Sequence, residues 1–391
     1  MVKAAYIHIP FCEQICHYCD FNKVFLKNQP VDQYVETVLM EIQRTGESTG
    51  YEALRTLYIG GGTPTALSAA QLERLLSGIS AHLPLEQIEE WTVEVNPDSS
   101  EQEKLEVMKA YGVNRLSIGA QTFEPELLKA IGRTHSANSV FEAIERSRAV
   151  GFSNLSIDLM FGLPGQTPEL FAGTIQQAIA LGIEHISAYS LKVEAKTVFY
   201  NLQRKGKLSL PPEDDEVQMY EQLRTISEAN GLRQYEISNF ARRGFESQHN
   251  RIYWDNEEYF GFGAGAHGYV NGTRYQNHGP IAKYINAVRE GRPPYLQKHD
   301  VTEIERLEEA MFMGLRLVDG LNERRFQQRY GYSFFELYRQ EINELIAKKL
   351  LAYEQGALKL TEKGLLLGNE VFEKFIATLT KLPHPRSSTR S

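Results

Sequence analysis

Short β-rich runs alternate with helical patterns through the first half of the sequence, and this alternation constrains the fold more than any other feature. The β-rich runs end in glycine or polar residues, and amphipathic stretches follow them. A strand followed by a helix, repeated along the chain, is typical of a parallel sheet whose crossover connections are helices. The predicted strands are Ala4–Ile9, Arg55–Ile59, Trp91–Val95, Arg115–Gly119, Leu155–Met160 and His185–Leu191. The predicted helices are Asp32–Arg44, Glu101–Ala110, Ser136–Val150 and Pro168–Ala180, with one more beginning at Ser68.

Six strand–helix steps predict an α/β fold built on a partial (β/α)6 barrel, since a closed eight-unit barrel would need two further units that the sequence does not clearly supply. We expect this core barrel over residues 1–235, and a connecting segment rich in glycine and aromatic residues over 236–300. Residues 301–380 have the pattern of a mainly helical C-terminal domain. Within it, Tyr353–Leu360 predicts a hairpin turning at Gln355-Gly356, and the helices around that hairpin indicate a winged-helix-like unit. We expect 381–391 to be a disordered tail.

Composition excludes two classes of partner. The net charge is −8 and no lysine or arginine cluster stands out, whereas strong nucleic-acid binding needs a concentrated basic surface. No apolar run approaches the roughly 20 residues needed to cross a bilayer. The N-terminal apolar run is interrupted by His8 and Pro10, and it is too short for the core of a signal peptide. We therefore expect a cytoplasmic protein with no nucleic-acid partner and no integral membrane segment.

All three cysteines of the chain, Cys12, Cys16 and Cys19, fall within eight residues in the spacing C-x3-C-x2-C. An odd, clustered set does not suit structural disulfides and suggests a metal site. Thiolates are soft ligands that suit iron–sulfur clusters or zinc. A four-iron cluster on three thiolates would leave one iron open to a substrate, whereas zinc could be completed by His17 or His8. Three unligated thiols are the third interpretation.

The other candidate residues follow the later strands. In a β/α barrel the ligand site forms from loops at the C-terminal ends of the strands, and the cysteines come directly after the first one. A glycine turn or a polar strand end can be only a turn or a cap, but a series of them at one end of successive strands favours a ligand site. These residues are Gly60-Gly61-Gly62, Glu94, Asn96, Gln121, Arg133 and Asp158.

Together these segments resemble the radical S-adenosylmethionine enzymes, and more narrowly the branch that contains oxygen-independent coproporphyrinogen III oxidase and the HemW-type heme chaperones. The resemblance covers nearly the whole chain, and the set of motifs is highly specific. It is carried by the cysteine motif and by the segments Gly60–Pro64, Val93–Pro97, Gly119–Phe123, Gly132–His135 and Asp158–Thr167.

The resemblance implies a [4Fe-4S] cluster on Cys12, Cys16 and Cys19, with S-adenosylmethionine at its open iron. Electron transfer to the sulfonium would break a carbon–sulfur bond and release a 5′-deoxyadenosyl radical. The cofactor supplies that chemistry, while the protein orients it and excludes water. The positions that match contacts to this cofactor, or to a second molecule of it in the oxidase, are Tyr6, Tyr18, Gly61, Gly62, Thr63, Glu94, Gln121, Arg133 and Asp158.

Two departures separate this sequence from the oxidases. The oxidases have a further cysteine two places after the third, where this chain has Phe21, and a longer N-terminal arm, where this chain has 11 residues before Cys12. Both departures match the HemW pattern and point away from coproporphyrinogen decarboxylation. The resemblance thus implies a chaperone that binds heme and passes it to acceptor hemoproteins, such as respiratory ones at the membrane surface. The oxidase and a zinc-stabilised binding module are the alternative hypotheses.

The string His249–Trp254, H-N-x-x-Y-W, resembles a signature of the HemW type. It places an imidazole beside two large aromatic residues, and imidazole is a usual axial ligand of heme iron. The plain alternative is a packed aromatic loop with a hydrogen-bonded histidine. The resemblance favours His249 as the heme ligand, with His267, in the glycine-rich run Gly263–Gly268, and His278 as further candidates.

Overall fold

The computed structural model describes residues 1–382, so that 383–391, most of the predicted tail 381–391, lies outside the described residues. The chain begins with alternating strands and helices. These are β1 (Ala4–Ile9), β2 (Phe11–Cys12), β3 (Val24–Phe25), α1 (Val31–Thr49), β4 (Thr56–Gly61), α2 (Ala69–His82), β5 (Glu90–Val95), α3 (Gln102–Ala110), β6 (Arg115–Gln121), α4 (Pro125–Ala130), α5 (Ala137–Val150), β7 (Leu155–Phe161), α6 (Pro168–Ala180) and β8 (His185–Ser190).

Strands β1, β4, β5, β6, β7 and β8 lie side by side in that order, and each pairs with the next in parallel. Every crossover between them contains at least one helix, as parallel pairing requires. The predicted partial six-strand β/α architecture is therefore confirmed. The sheet is open, and its edge strands are β14 (Tyr295–Asp300) and β9 (Arg233–Glu236).

Alternation along these strands separates an apolar face from a polar one. Ile7 pairs with Ile59 and Ile59 with Val93, and all three side chains are fully buried. The intervening residues are aromatic or polar, as in the pair Tyr6 and Tyr58, whose rings lie 6.0 Å apart. Because successive side chains point to opposite faces of a strand, the apolar set packs under the helices and the other set lines the inside of the sheet.

The chain continues with α7 (Val198–Arg204), α8 (Glu213–Ala229), β9 (Arg233–Glu236), β10 (Asn239–Ala241), α9 (Gln248–Trp254), β11 (Tyr259–Phe262), β12 (His267–Val270), β13 (Thr273–Asn277), α10 (Ile281–Arg289) and β14 (Tyr295–Asp300). Strand β10 pairs antiparallel with β8, β11 pairs parallel with β1, and β12 and β13 form an antiparallel hairpin. The segment 236–300, predicted as a connector, thus supplies strands to both sides of the sheet, which has the order β14-β13-β12-β11-β1-β4-β5-β6-β7-β8-β10-β9.

The last elements are α11 (Glu303–Gly314), β15 (Leu321–Asn322), α12 (Glu323–Tyr330), α13 (Phe334–Ala347), β16 (Leu351–Glu354), β17 (Ala357–Leu360), α14 (Glu362–Leu366) and α15 (Gly368–Glu373). Strands β16 and β17 form the predicted hairpin, and Gln355 and Gly356 turn it with φ of 52° and 78°. Two positive φ values are the requirement of a type I′ turn. The order of helices and hairpin is that of the predicted winged-helix-like unit.

The chain divides into two compact units. The first comprises Met1–Arg233, Ser238–His249 and Glu258–His299, and the second comprises Gln234–Ile237, Asn250–Glu257 and the described residues from Asp300 onward. The core of the second unit includes Met311, Phe334 and Leu358. Within the part of the chain that the structure describes, no helix has the length and apolar character needed to span a bilayer.

Candidate cofactor site

The cysteine loop lies at the C-terminal end of β1 and is closed by the short parallel pair β2 and β3, in which Cys12 pairs with Phe25. Backbone hydrogen bonds from Gly62 N–H to Ile9 O and from Thr63 N–H to Phe11 O, each 2.8 Å, hold the loop against the glycine run after β4. The hydroxyl of Thr63 donates to the sulfur of Cys12 at 3.7 Å. The glycine run after β4, which the sequence predicts to face the cysteines, therefore lies against the cysteine loop in the structure.

The protein environment makes the thiols of Cys12 and Cys19 hard to deprotonate unless a cation is present. Burial raises the pKa of Cys12 to about 11 and also raises that of Cys19. The neighbouring thiols raise the Cys12 pKa further, whereas the guanidinium of Arg133 and the hydroxyl of Thr63 lower it. Buried thiolates are stable when a metal replaces their protons. With Cys16 the loop offers three thiols, and these three residues would hold an iron–sulfur cluster.

The glycine run brings the backbone close to three functional side chains. A Cβ on Gly60 would lie 2.7 Å from the Glu94 carboxyl, and one on Gly62 would lie 3.0 Å from the Cys12 sulfur. Gly61 has a φ of 118°, and a Cβ there would lie 2.4 Å from the His8 ring. Any side chain at these positions would displace the groups that form the site, so the run is glycine for steric reasons.

Two carboxyl groups face the inside of the sheet. Glu94 accepts hydrogen bonds from the Tyr58 hydroxyl and the Gly61 N–H, each at 2.9 Å. Asp158 accepts from the Ser117 hydroxyl at 3.0 and 3.2 Å. Burial raises the pKa of Glu94 to about 7, and the negative charge of the nearby Asp158 carboxyl adds to this effect. Burial also raises the pKa of Asp158. A raised pKa means that the protein disfavours the ionised carboxylate, and a cationic ligand would stabilise that ionised form.

Gln121 and Arg133 converge at the end of β6. The register of β6 with β7 shifts between Gly119 and Gln121, and Gln121 has a φ of 64°. A Cβ on Gly119 would lie 2.9 Å from Arg133 Nη2 and 3.1 Å from Gln121 Nε2. The guanidinium of Arg133 hydrogen-bonds the Tyr18 hydroxyl, and burial raises the pKa of Tyr18. Arg133 Nε is buried without a hydrogen-bond partner in the described residues, which fits a ligand that would supply an acceptor.

Tyr6 connects the inside of the sheet to the cysteine loop through His8. Burial lowers the pKa of His8 to about 4, so its ring is neutral. Its Nε2 lies 2.7 Å from the Asn22 carbonyl and its Nδ1 lies 2.9 Å from the Tyr6 hydroxyl. The neutral ring therefore donates to the carbonyl and accepts from the hydroxyl. His8 is engaged on both nitrogens within the protein.

Asn96, in contrast, has the role of a cap. Its side-chain oxygen accepts from Asp98 N–H at 3.2 Å at the start of the short 3-10 helix Pro97–Ser99.

Two residues that shape the site, Asn22 and Glu41, were not predicted from the sequence. Asn22 Nδ2 donates to Ala264 O at 2.8 Å and Gly279 O at 3.1 Å, tying the cysteine loop to the segment after β11.

Glu41 is buried and accepts hydrogen bonds from Gly263 N–H at 2.9 Å, Asn277 Nδ2 at 2.8 Å and the Tyr284 hydroxyl at 2.5 Å. These bonds hold the segment after β11 against α1. A signal for it exists in the sequence, because Glu41 lies one turn beyond Val38 on the apolar stripe of α1, where a carboxylate needs partners. The glycine-rich run Gly263–Gly268 therefore approaches the cysteine loop and α1.

His249 lies at the opposite end of the strands. Its Nδ1 lies 2.8 Å from the Thr56 hydroxyl, and Thr56 is the first residue of β4. Its ring centroid is 5.2 Å from that of Tyr58, and only 1% of the residue is exposed. Burial lowers the pKa of His249 to about 3. The cysteines are at the C-terminal ends of the strands, so the structure does not bring His249 together with them.

The two other candidate histidines lie near the cysteine end. His267 is exposed and begins β12. His278 is half-buried, its carbonyl accepts from Gly265 N–H at 3.0 Å, and its Nδ1 is buried without a hydrogen-bond partner among the described residues. In the second unit, Trp254 of the H-N-x-x-Y-W string packs beneath the guanidinium of Arg316 at 4.4 Å.

Comparisons with known proteins agree with this geometry. The family model of the radical SAM superfamily matches residues 6–178, and that of the HemN C-terminal domain matches 301–367. The solved structure of coproporphyrinogen III oxidase (HemN) from Escherichia coli, a radical SAM enzyme, superposes with a TM-score of 0.84 at 25% identity, over 97% of this chain and 91% of that one. The fold and the cysteine site define a radical SAM protein, which confirms the predicted [4Fe-4S] cluster and S-adenosylmethionine as the cofactors of the scaffold.

The particular family follows from the curated relatives. The chain is 52% identical to the heme chaperone HemW of Bacillus subtilis (strain 168), over 97% of this chain and 100% of that one. It is 34% identical to the heme chaperone HemW of Escherichia coli (strain K12), over 95% and 97% of the two chains. The chain belongs to the HemW family, as its motifs predicted.

Proposed function

We propose that this protein is a heme chaperone that binds heme and transfers it to acceptor hemoproteins, on a scaffold that carries a [4Fe-4S] cluster and S-adenosylmethionine. The observation that carries the proposal is the 52% identity, over essentially the full length of both chains, to a relative named heme chaperone HemW. Phe21, at the position of the oxidases' additional cysteine, supports the same choice. The acceptors would be hemoproteins such as respiratory ones, which the chaperone would meet from the cytoplasm at the membrane surface.

In this proposal Cys12, Cys16 and Cys19 ligate the cluster and leave one iron open for the amine and carboxylate of S-adenosylmethionine. When bound, the cluster supplies the electron that cleaves the sulfonium of S-adenosylmethionine. The polypeptide positions these groups through the residues already described. The contacts assigned to the cofactor are the backbone of Gly61 and Gly62 and the side chains of Tyr6, Tyr18, Thr63, Glu94, Gln121, Arg133 and Asp158.

The electrostatics of the site support that assignment. Glu94 and Asp158 are half-buried residues whose carboxyl groups a cationic amine or sulfonium would stabilise, and Arg133 has a buried Nε–H that would donate to a carboxylate. One cofactor that carries both charges can satisfy both sets. These side chains are at least half-buried, and their limited contact with water strengthens each interaction.

Heme titration tests the chaperone function directly. Full-length protein with its cluster reconstituted anaerobically should bind heme stoichiometrically, with a change in the heme absorption spectrum. It should then pass the heme to an added apo-hemoprotein faster than free heme is taken up. A chain that binds no heme would exclude the proposal.

The oxidase is the second candidate, because the fold superposes on coproporphyrinogen III oxidase with a TM-score of 0.84. Anaerobic incubation with coproporphyrinogen III, reductant and S-adenosylmethionine separates the two functions. We expect no protoporphyrinogen, and its formation would establish the oxidase.

A further inference from the structure

The hairpin of β12 and β13 has one largely buried face and one face that is partly open to solvent, which we call the open face. In its register His267 pairs with Gln276 and Tyr269 pairs with Arg274, and directly opposed residues share a face. His267 is exposed, and Arg274 and Gln276 are half-buried. The alternate residues Tyr275 and Asn277 are buried on the other face, where Asn277 is bonded to Glu41. The open face therefore carries an imidazole, a guanidinium and an amide.

The guanidinium on this face is already oriented. Arg274 lies over the ring of Tyr269, with 4.4 Å between its central carbon and the ring centroid. Gln276 is bonded to Gln297 of β14 at 3.1 Å, which fixes the far side of the same face. An arginine held flat in this way can present two N–H groups to a carboxylate.

Of the three candidate histidines, His267 is exposed, His278 is half-buried and His249 is buried. The ring of His249 is hydrogen-bonded to Thr56 and packs on Tyr58. It would have to leave the interior to bind a heme iron. His278 has its Nδ1 buried. The imidazole of His267 makes no hydrogen bond within the described residues, and it can turn toward a ligand from solvent.

The open face adjoins the cysteine loop. Asn22 donates to Ala264 O and Gly279 O, so the residue next to Phe21 is bonded to both ends of the segment that contains the hairpin. A Cβ on Gly265 would lie 2.7 Å from the Asn22 side chain. His267 is close enough to His8 for its charge to affect the ring of His8. Phe21, the residue before Asn22, is 64% exposed, so the cysteine loop also offers an apolar side chain to solvent.

We propose that heme binds over the open face of β12 and β13, with the imidazole of His267 as the iron ligand and Arg274 paired with a propionate carboxylate. The inference rests on the proposed heme chaperone function and adds a location and two residue roles to it. Imidazole is a usual axial ligand of heme iron, and a guanidinium fork matches a carboxylate. The site places heme next to the cluster loop rather than at the opposite end of the strands.

The test is a titration of the full-length protein with ferric heme, followed by absorption and electron paramagnetic resonance. Wild type, His267→Ala, His249→Ala and the matched control His82→Ala, on α2, are compared after their folding has been checked by circular dichroism. We expect His267→Ala to bind heme at least tenfold more weakly with a changed iron spectrum, and free imidazole to restore that spectrum. The other two variants should keep the spectrum of the wild type. Arg274→Gln should bind several-fold more weakly with the iron spectrum unchanged.

The outcomes separate this inference from the function on which it rests. Wild type that binds no heme would remove the chaperone function itself. Wild type that binds heme while His267→Ala keeps the same affinity and spectrum would overturn His267 as the ligand and leave the function standing. A changed spectrum in His249→Ala alone would assign the iron to His249. An unchanged affinity in Arg274→Gln would remove the carboxylate contact.

Discussion

Replacing Glu41 by alanine should destabilise the first unit and loosen the segment that carries His267. The Glu41 carboxyl accepts from Gly263 N–H, Asn277 Nδ2 and the Tyr284 hydroxyl. Asn277 Nδ2 would keep its second bond, to Gly263 O at 3.0 Å. The Gly263 and Tyr284 donors would lose the acceptor that they have. Each buried donor left unsatisfied costs about 1–3 kcal/mol, so the free energy of unfolding should fall by about 2–6 kcal/mol.

The effect has a defined dependence on pH. Burial raises the pKa of Glu41 to about 7 from its ordinary value of 4.5. A carboxyl whose pKa is higher in the folded state contributes stability at low pH, and that contribution is lost as the pH rises from about 4.5 through about 7. The destabilisation by Glu41→Ala should therefore be larger at pH 6 than at pH 8, by about 1 kcal/mol.

Urea denaturation followed by fluorescence at both pH values measures these differences. The matched control is Glu36→Ala, on the same helix, because Glu36 forms surface ion pairs with Arg74 and Arg289. Surface pairs contribute about 0–1 kcal/mol, so this variant should stay near wild type. Hydrogen exchange should show faster exchange of the Gly263 amide in Glu41→Ala alone. If the two variants lost the same stability, the reasoning about buried donors would be refuted.

Three further predictions concern the cofactor site. Cys16→Ala should lower bound iron from about four per chain to near zero in an anaerobic iron assay. Gly62→Ala should also lower bound iron, because its Cβ would lie 3.0 Å from the Cys12 sulfur. Gly173→Ala, on α6 with open space around it, is the control and should keep its iron. Burial raises the pKa of Glu94 to about 7, so equilibrium dialysis should show S-adenosylmethionine binding strengthen from pH 6 to pH 8 in wild type and not in Glu94→Gln.

The six parallel strands could be predicted because their signals are local. Each strand is a short apolar run that ends in a glycine or polar residue, and a helix with its own periodicity follows. The strand that begins with Thr56 illustrates this, since its run ends in Gly60 and Gly61. The cysteines and the strand-end residues could be predicted for the same reason, because a parallel sheet brings all its C-terminal ends to one edge.

The sheet strands of the segment 236–300 have no comparable signal. β11 pairs with β1, about 255 positions away in the sequence, with Ala4 opposite Tyr259. Its four residues include a glycine, and neither its length nor its periodicity distinguishes it from a loop. Asn22 and Glu41 were missed because single polar residues acquire meaning only when tertiary structure supplies their partners. Physical information about long-range pairing is simply absent from a local pattern.

The environment of His249 gives the H-N-x-x-Y-W string a structural role that its chemistry alone does not reveal. Glu90, the first residue of β5, accepts from the Ser247 hydroxyl and from the N–H groups of Gln248 and His249, at 3.1, 2.8 and 3.0 Å. These bonds satisfy the free amides at the start of α9. They also seat the imidazole against Thr56 and Tyr58, where it closes the N-terminal end of the parallel strands. Because these contacts fix the His249 imidazole in the interior, we expect the heme ligand to be an imidazole that faces solvent.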